Sequence, residues 1–285
     1  MMTSPPFPPP ASGRGDVRGA LADAARHLDA ISDTPRLDAE LLMAHALDMS
    51  RDAMLLGGLD RPAPAKFAAL LDRRLAHEPV AYIVGDRDFW TVTLEIGPGV
   101  LIPRPDSETL IEAAVEHFGD RAPARILDLG TGPGTLLLAA LDQWPGAQGL
   151  GIEASAEALA YAVRNAARIA PGRATMLRGD WAAGIEGPFD LILANPPYVE
   201  ADAALPRDVI GHEPASALFA GFDGLDDYRR IVPDLPRLLA PGGAAILEIG
   251  HRQREAVTAL LSARRLQVAC RSDLGGRARA LIATS

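Results

Sequence analysis

The stretch Ile126-Leu127-Asp128-Leu129-Gly130-Thr131-Gly132-Pro133-Gly134, followed by the apolar run Thr135 to Leu141, constrains the fold of this chain more than any other segment. A short apolar run, three glycines at alternate positions and a second apolar run read as strand, tight turn and helix. The glycines permit positive φ and let the backbone approach a ligand closely. Such a turn at the carboxyl end of a parallel strand is the architecture of a nucleotide-type cofactor site. The spacing is G-x-G-x-G, neither the G-x-G-x-x-G of dinucleotide enzymes nor the G-x-x-x-x-G-K-[ST] of a P-loop. The same residues also suit a plain strand-to-helix connection. A second strand, Gly149-Leu150-Gly151-Ile152-Glu153, favours the cofactor reading, because it ends in a carboxylate nineteen residues beyond Gly134. A carboxylate at about that distance can accept both hydroxyl protons of a ribose diol.

From Arg104 onward strands and helices alternate, with candidate strands at 125–129, 149–153, 174–178, 189–194, 244–249, 266–271 and 278–283. This predicts a doubly wound α/β domain over residues 104–285 with a seven-stranded, mostly parallel sheet. The last two strands leave no room for a helix, so they pair as an antiparallel hairpin. Pro241-Gly242-Gly243 reads as a turn before the fifth strand. Upstream, residues 16–78 read as a small helical bundle. Val17, Leu21, Ala24, Leu28 and Ile31 recur at helical spacing. Thr34-Pro35 opens a second helix with Leu37, Leu41, Ala44 and Leu47 inward. Ser50 caps a third that stops at Gly57-Gly58. Pro64 to Ala76 makes a fourth on Phe67, Leu70, Leu71 and Leu75. Met43, Met49 and Met54 read as core filler. Residues 79–103, with Gly85-Asp86 between apolar runs, predict a β-hairpin linker. Residues 1–15, rich in Pro, Ser and Gly, predict a disordered tail and lack the pattern of a secretory signal.

About sixty residues beyond the glycine turn, the apolar run Phe189 to Ala194 ends in Asn195-Pro196-Pro197-Tyr198. Two prolines fix φ twice and remove two backbone donors, so the turn offers mainly acceptors. The Asn195 side-chain oxygen and the Pro196 carbonyl can each take one N–H of a planar amide or amine beside the Tyr198 ring. Pro-Pro also simply stops a strand; its coincidence with the glycine turn favours the acceptor reading.

Composition narrows the field. Net charge is −9, from 37 acidic and 28 basic side chains, and the basic residues cluster only in pairs such as Arg73-Arg74 and Arg229-Arg230. A protein gripping nucleic acid needs a basic surface, so the balance argues against direct nucleic-acid recognition. No apolar run reaches the ~18 residues of a membrane span. The single cysteine, Cys270, forms no internal disulfide, joins no Cys/His cluster and reads as a buried strand residue. No metal site is expected.

Together these segments resemble the class I S-adenosylmethionine-dependent methyltransferases, and more closely the family that methylates the side-chain amide of glutamine in bacterial peptide chain release factors. His77 to Gly85, Phe89-Trp90, Leu101 to Glu108, Gly179-Asp180-Trp181, Glu213-Pro214 and Asp223 to Asp226 are similar to that family in order and spacing. The resemblance implies S-adenosylmethionine as methyl donor, held by Gly130, Thr131, Gly132, Pro133, Gly134, Glu153, Asp180, Trp181 and Asn195. The glycines would cradle the methionine part, Glu153 the ribose, and Asp180 and Trp181 the adenine; a core residue is the lesser alternative for Trp181. Pro133 donates no N–H and would only shape the loop. Glu153 stands where the family commonly has aspartate, and His212 where it often has tyrosine. Asn195, Pro196, Pro197 and Tyr198 would hold the substrate amide, with Asn195, Pro196 and Tyr198 catalytic. The resemblance further implies a cytoplasmic monomer acting on the Gly-Gly-Gln glutamine of class 1 release factors in translation termination, with the helical domain docking the protein substrate. Two other readings stay open: an amino-methyltransferase of DNA adenine or RNA guanine, and an idle binder of the cofactor or a ribosomal partner.

Overall fold

The computed structural model describes residues 15–285. The tail expected to be disordered lies outside the described residues, apart from Gly15, whose carbonyl accepts from the Ala63 N–H. The chain divides into two units: one ends at Gly85 and includes Arg207–His212, and the other comprises Asp86–Pro206 and Glu213–Ser285.

The first unit is helical, with α1 (Val17–Leu28), α2 (Pro35–Leu47), α3 (Arg51–Gly57), α4 (Lys66–Leu75) and α5 (Val80–Val84). Ser50 caps α3 by accepting the Ala53 N–H at 3.2 Å. Val17, Leu21, Ala24 and Leu28 are buried as a stripe, against a core that includes Met43 and Met54. The inward face of α2 is only partly as expected: Ala44 is buried and Leu47 packs on the core, but Leu37 is exposed and Ala39, Leu42, Met43 and Ala46 are buried as well. Helix α2 packs against α1, α3, α4 and α5 together, so a single amphipathic stripe does not describe it. Two carboxylates on this helix are buried with guanidinium partners, Asp38 with Arg74 at 2.8 Å and Glu40 with Arg36 and Arg51. Arg74 is buried on α4 where Leu75 was expected, and Leu75 is partly exposed. A buried charge is tolerated only when paired.

The second unit opens with a hairpin, β1 (Asp86–Phe89) and β2 (Val92–Glu95), paired antiparallel. Its turn is therefore at Trp90-Thr91, with Trp90 at φ 54°. Gly85, at φ 93°, instead ends α5 in the left-handed conformation. The linker expected over 79–103 thus begins as a helix of the first unit. There follow α6 (Glu108–Phe118), β3 (Arg125–Leu129), α7 (Thr135–Gln143), β4 (Gln148–Glu153), α8 (Ala156–Ile169), β5 (Ala174–Arg178) and β6 (Phe189–Ala194). A short helix, α9 (Arg207–His212), belongs to the helical unit. Then come α10 (Asp226–Ile231), α11 (Leu235–Leu238), β7 (Leu239–Glu248), α12 (Arg254–Ser262), β8 (Gln267–Ser272) and β9 (Ala278–Thr284).

The seven strands run in the order β5-β4-β3-β6-β7-β9-β8, parallel except for β9. Pro241-Gly242-Gly243 does not precede the fifth strand but bulges within it: Phe189 pairs with Leu239 and Leu191 with Ala244, five residues on β7 against two on β6. A Cβ on Gly243 would lie 2.6 Å from the Asp190 carbonyl oxygen, so glycine lets the bulge close. The central strands are apolar without alternation because helices cover both faces. Leu127, Leu191, Leu193 and Ile246 are fully buried. Cys270, expected to be buried, lies half-buried on the edge strand β8.

Leu193→Ala is expected to lower the unfolding free energy by about 2–5 kcal/mol. Leu274→Ala, in the exposed turn between β8 and β9, should change it by less than about 0.5 kcal/mol. Guanidinium unfolding curves check both, and a Leu193→Ala protein as stable as the parent would contradict this account of the core.

Candidate active site

The parallel register carries the site. Leu129 pairs with Ile152 on one side and Ala194 on the other, and Ala194 pairs with Leu247. The residues next in sequence, Gly130, Glu153, Asn195 and Glu248, therefore leave four adjacent strands at the same edge of the sheet. A cavity of about 300 Å³ opens there. Its walls include Gly130, Thr131, Gly132, Pro133, Glu153, Asp180, Trp181, Asn195 and Pro197. Three expected site residues, Gly134, Pro196 and Tyr198, are not among the wall residues.

The glycine loop is left-handed at all three glycines, with φ of 72°, 57° and 94° at Gly130, Gly132 and Gly134. A Cβ at Gly130 would meet the Trp181 ring at 2.8 Å, whereas at Gly132 it would meet nothing within 4 Å. The open side of Gly132 is the cavity. Glu153 braces the loop: one oxygen accepts the Gly132 N–H and the other the Ser155 N–H, each at 2.8 Å. Each oxygen keeps a further lone pair.

Asp128 was not singled out by sequence reasoning, although an acid inside a buried apolar strand is itself a signal. It is buried, and its Oδ2 accepts the Thr131 hydroxyl and the Leu137 N–H. Its Oδ1 is buried without a partner, and the residue lines the cavity. Burial raises its carboxyl to about 7, and the Glu153 charge adds to this against the two hydrogen bonds.

Asp180 and Trp181 both reach the cavity, but their polar groups are already engaged. Both Asp180 oxygens accept from the Arg230 guanidinium in a largely exposed pair. The Trp181 indole N–H donates to Asp227 at 3.1 Å, and its ring packs on the sheet's core cluster. Trp181 is thus core packing and cavity wall together.

Beyond the cavity, the Asn195 turn is tied into a buried polar network. Asn195 Nδ2 donates to Ser107 Oγ at 3.3 Å, and Ser107 Oγ donates to Glu248 Oε2. The Tyr198 hydroxyl donates to Glu248 Oε1 at 3.2 Å, and the Tyr228 hydroxyl to the Glu248 carbonyl at 2.7 Å. Burial pushes the Glu248 carboxyl up, opposed by the Ser107 hydrogen bond and the Arg279 charge. Burial and the Glu248 charge together raise the Tyr198 hydroxyl. Gln253 Nε2 donates to the Tyr198 carbonyl at 3.0 Å and the Gly224 carbonyl at 3.1 Å. A Cβ on Gly224 would strike that Tyr198 oxygen at 2.4 Å, which is why glycine follows Asp223. Glu213 accepts the Ile102 N–H and the Arg104 guanidinium, fastening the segment that carries Ser107. Ser107, Glu248 and Gln253 were missed because they lie about ninety, fifty and sixty residues from the Asn-Pro-Pro-Tyr turn. His212 sits at the end of α9 in the helical unit.

Residues 19–85 match the family described as PrmC N-terminal domain, and residues 106–212 the family described as methyltransferase small domain. A release factor glutamine methyltransferase of Rhodospirillum rubrum is 44% identical over 258 residues, covering 88% of this chain and 79% of that protein. This chain belongs to the release factor glutamine methyltransferase family. It is an enzyme of the methyltransferase class. Among solved structures, a methyltransferase from Pyrococcus furiosus has the same fold with a TM-score of 0.53 at 18% identity, covering 74% of this chain and 95% of its own. A Thermus thermophilus 16S rRNA methyltransferase, solved in complex with AdoMet and guanosine, has a TM-score of 0.50 at 22% identity, covering 70% of this chain and 49% of its own. At those identities the likeness is one of fold. Among the described residues no helix is long and apolar enough to cross a membrane.

The Asp128 carboxyl yields a pH prediction. Folded, it holds its proton up to about pH 7; unfolded, it releases it near ~3.9. Between those values the native state binds more protons, so the contribution to stability is full below about pH 4 and is lost as pH rises through about 7. Asp128→Asn should flatten the stability–pH curve across that window in denaturant titrations. Equal slopes for the two proteins would contradict the assignment.

Proposed function

We propose that this enzyme transfers the methyl group of S-adenosylmethionine to the side-chain amide nitrogen of the Gly-Gly-Gln glutamine in bacterial class 1 release factors, supporting translation termination. The observation that carries the reading is that Asn195 and the open face of the glycine loop border one cavity.

The residues fit the cofactor. Gly132 leaves room for close approach, and the orphaned buried oxygen of Asp128 suits a ligand ammonium. Glu153, with a lone pair free on each oxygen, suits a ribose diol. Trp181 and Ile152 offer apolar surface to an adenine, and Asp180 retains lone pairs beside it for the amino group. When bound, S-adenosylmethionine supplies an electrophilic methyl on its sulfonium sulfur. No metal enters the proposed chemistry.

A carboxamide nitrogen is a poor nucleophile because its lone pair is delocalised into the carbonyl. The Asn195 Oδ1 and the Pro196 carbonyl would each accept one of its N–H bonds, orienting the nitrogen and drawing negative character onto it. Fixed acceptors aimed at the charge that develops cost no reorganisation during reaction, and alignment itself supplies several kcal/mol of barrier reduction. Pro197 walls the acceptor end, and Tyr198, anchored on Glu248, holds the turn in place. The nitrogen becomes strongly acidic after transfer, so a proton leaves to solvent without a dedicated base. The helical unit would dock the protein substrate, and the enzyme would work as a cytoplasmic monomer.

The test is incubation with methyl-labelled S-adenosylmethionine and a purified class 1 release factor, beside a factor whose Gly-Gly-Gln glutamine is replaced. Label is expected on the normal factor alone. Asn195→Ala should lower turnover by about 10²–10³-fold with cofactor affinity largely intact. Label on both factors, or transfer to DNA or RNA in a parallel reaction, would overturn the proposal.

A further inference from the structure

We infer that Ser107 and Glu248 are positioning residues that fix which end of the Asn195 amide faces the acceptor. The inference rests on the role given to Asn195 above. The two ends of an asparagine amide are alike in shape and opposite in chemistry. With its oxygen toward the cavity Asn195 accepts from the substrate NH₂; turned over, it would set donor against donor. Something must choose between the two.

A hydroxyl beside the amide does not choose by itself, because it can donate or accept. Ser107 chooses because its single proton is committed. Ser107 Oγ donates to Glu248 Oε2, so its one proton is spent on that oxygen. Ser107 Oγ then has only lone pairs to offer Asn195, so the amide must turn its NH₂ toward it, and Nδ2 lies 3.3 Å away. The Oδ1 atom is left for the cavity that Asn195 and Ser107 both line.

Glu248 is suited to this as a fixed acceptor. It is buried, and its second oxygen is taken by the Tyr198 hydroxyl. Its backbone carbonyl is held by Tyr228. Burial opposes its ionisation, as does Asp106, while the Ser107 and Tyr198 hydrogen bonds and the Arg279 charge favour it. Arg279 is itself held between Asp106 at 3.0 Å and Asp273 at 3.2 Å. The hydrogen bonds thus run one way, from Asn195 through Ser107 to Glu248, and only that direction leaves an acceptor facing the substrate.

The experiment compares Ser107→Ala with Ser107→Thr in the release-factor labelling assay, with cofactor affinity and melting temperature measured on the same preparations. Ser107→Thr keeps the hydroxyl and should retain turnover within about threefold. Ser107→Ala should lose about tenfold or more in kcat, with KM for the release factor and cofactor affinity changed by less than about twofold. Glu248→Gln, which can donate to Ser107 and so frees its proton, should lower kcat in the same way. Full turnover in Ser107→Ala, or equal loss in Ser107→Ala and Ser107→Thr, would overturn the inference. So would a loss in Ser107→Ala that tracks weakened cofactor binding or a lowered melting temperature. If the parent enzyme fails to label the release factor, the proposed function has failed and the inference falls with it; if the parent labels and Ser107→Ala labels equally well, only the positioning role is lost.

Discussion

Parallel pairing in register is the constraint on which the site depends. Parallel strands need crossover connections, and those connections are the helices that cover both faces of the sheet. Once the strands are buried on both sides their only solvated parts are their ends, so polar groups collect there. Because β4, β3, β6 and β7 are paired without slippage where they end, Glu153, Gly130, Asn195 and Glu248 emerge side by side. The bulge in β7 lies at the opposite end of the strand, so the irregularity at Pro241 to Gly243 is kept away from the register that matters. A one-residue slip of β7 would carry Glu248 to the other face and strand Ser107 without its acceptor.

The two ends of the cavity use acids in opposite ways. At the glycine loop, Glu153 and Asp128 present oxygens inward, and one oxygen of Asp128 has no protein partner at all. A buried acceptor without a donor is costly unless a ligand supplies one. At the other end Glu248 has each oxygen held by a protein hydroxyl and does not line the cavity. Its effect passes through Ser107 to Asn195. An acid with an unpartnered oxygen at the cavity makes a binding group, and an acid with both oxygens held away from it makes a scaffold, as Asp128 on β3 and Glu248 on β7 show two strands apart.

How much of this was legible follows from distance along the chain. The glycine loop, Glu153 and the Asn-Pro-Pro-Tyr turn are each contiguous segments whose backbone chemistry is local, so the sequence announces them. The seven strands and the final hairpin were legible for the same reason, since a continuous apolar run between turn residues has one reading in an alternating α/β pattern. The inward face of α2 was not. Four helices press on it, and the buried Asp38 and Glu40 depend on Arg74 and Arg51 from two of them. The hairpin turn was misplaced because Gly85 suits a helix terminus as well as a turn, and only the packing of Val80–Val84 decides between them.

The same limit explains why Ser107 and Glu248 were silent. Ser107 reads as one hydroxyl in a proline-rich segment, and Glu248 as a charge closing an apolar strand. Neither carries meaning until the fold joins them across 141 residues. What the sequence encodes locally is the group that acts; what it encodes only through the fold is the direction in which that group points. For an amide whose two ends differ by a single exchange of donor and acceptor, direction is the larger part of the chemistry. A proton committed to a buried carboxylate is one of the few means a protein has of fixing it.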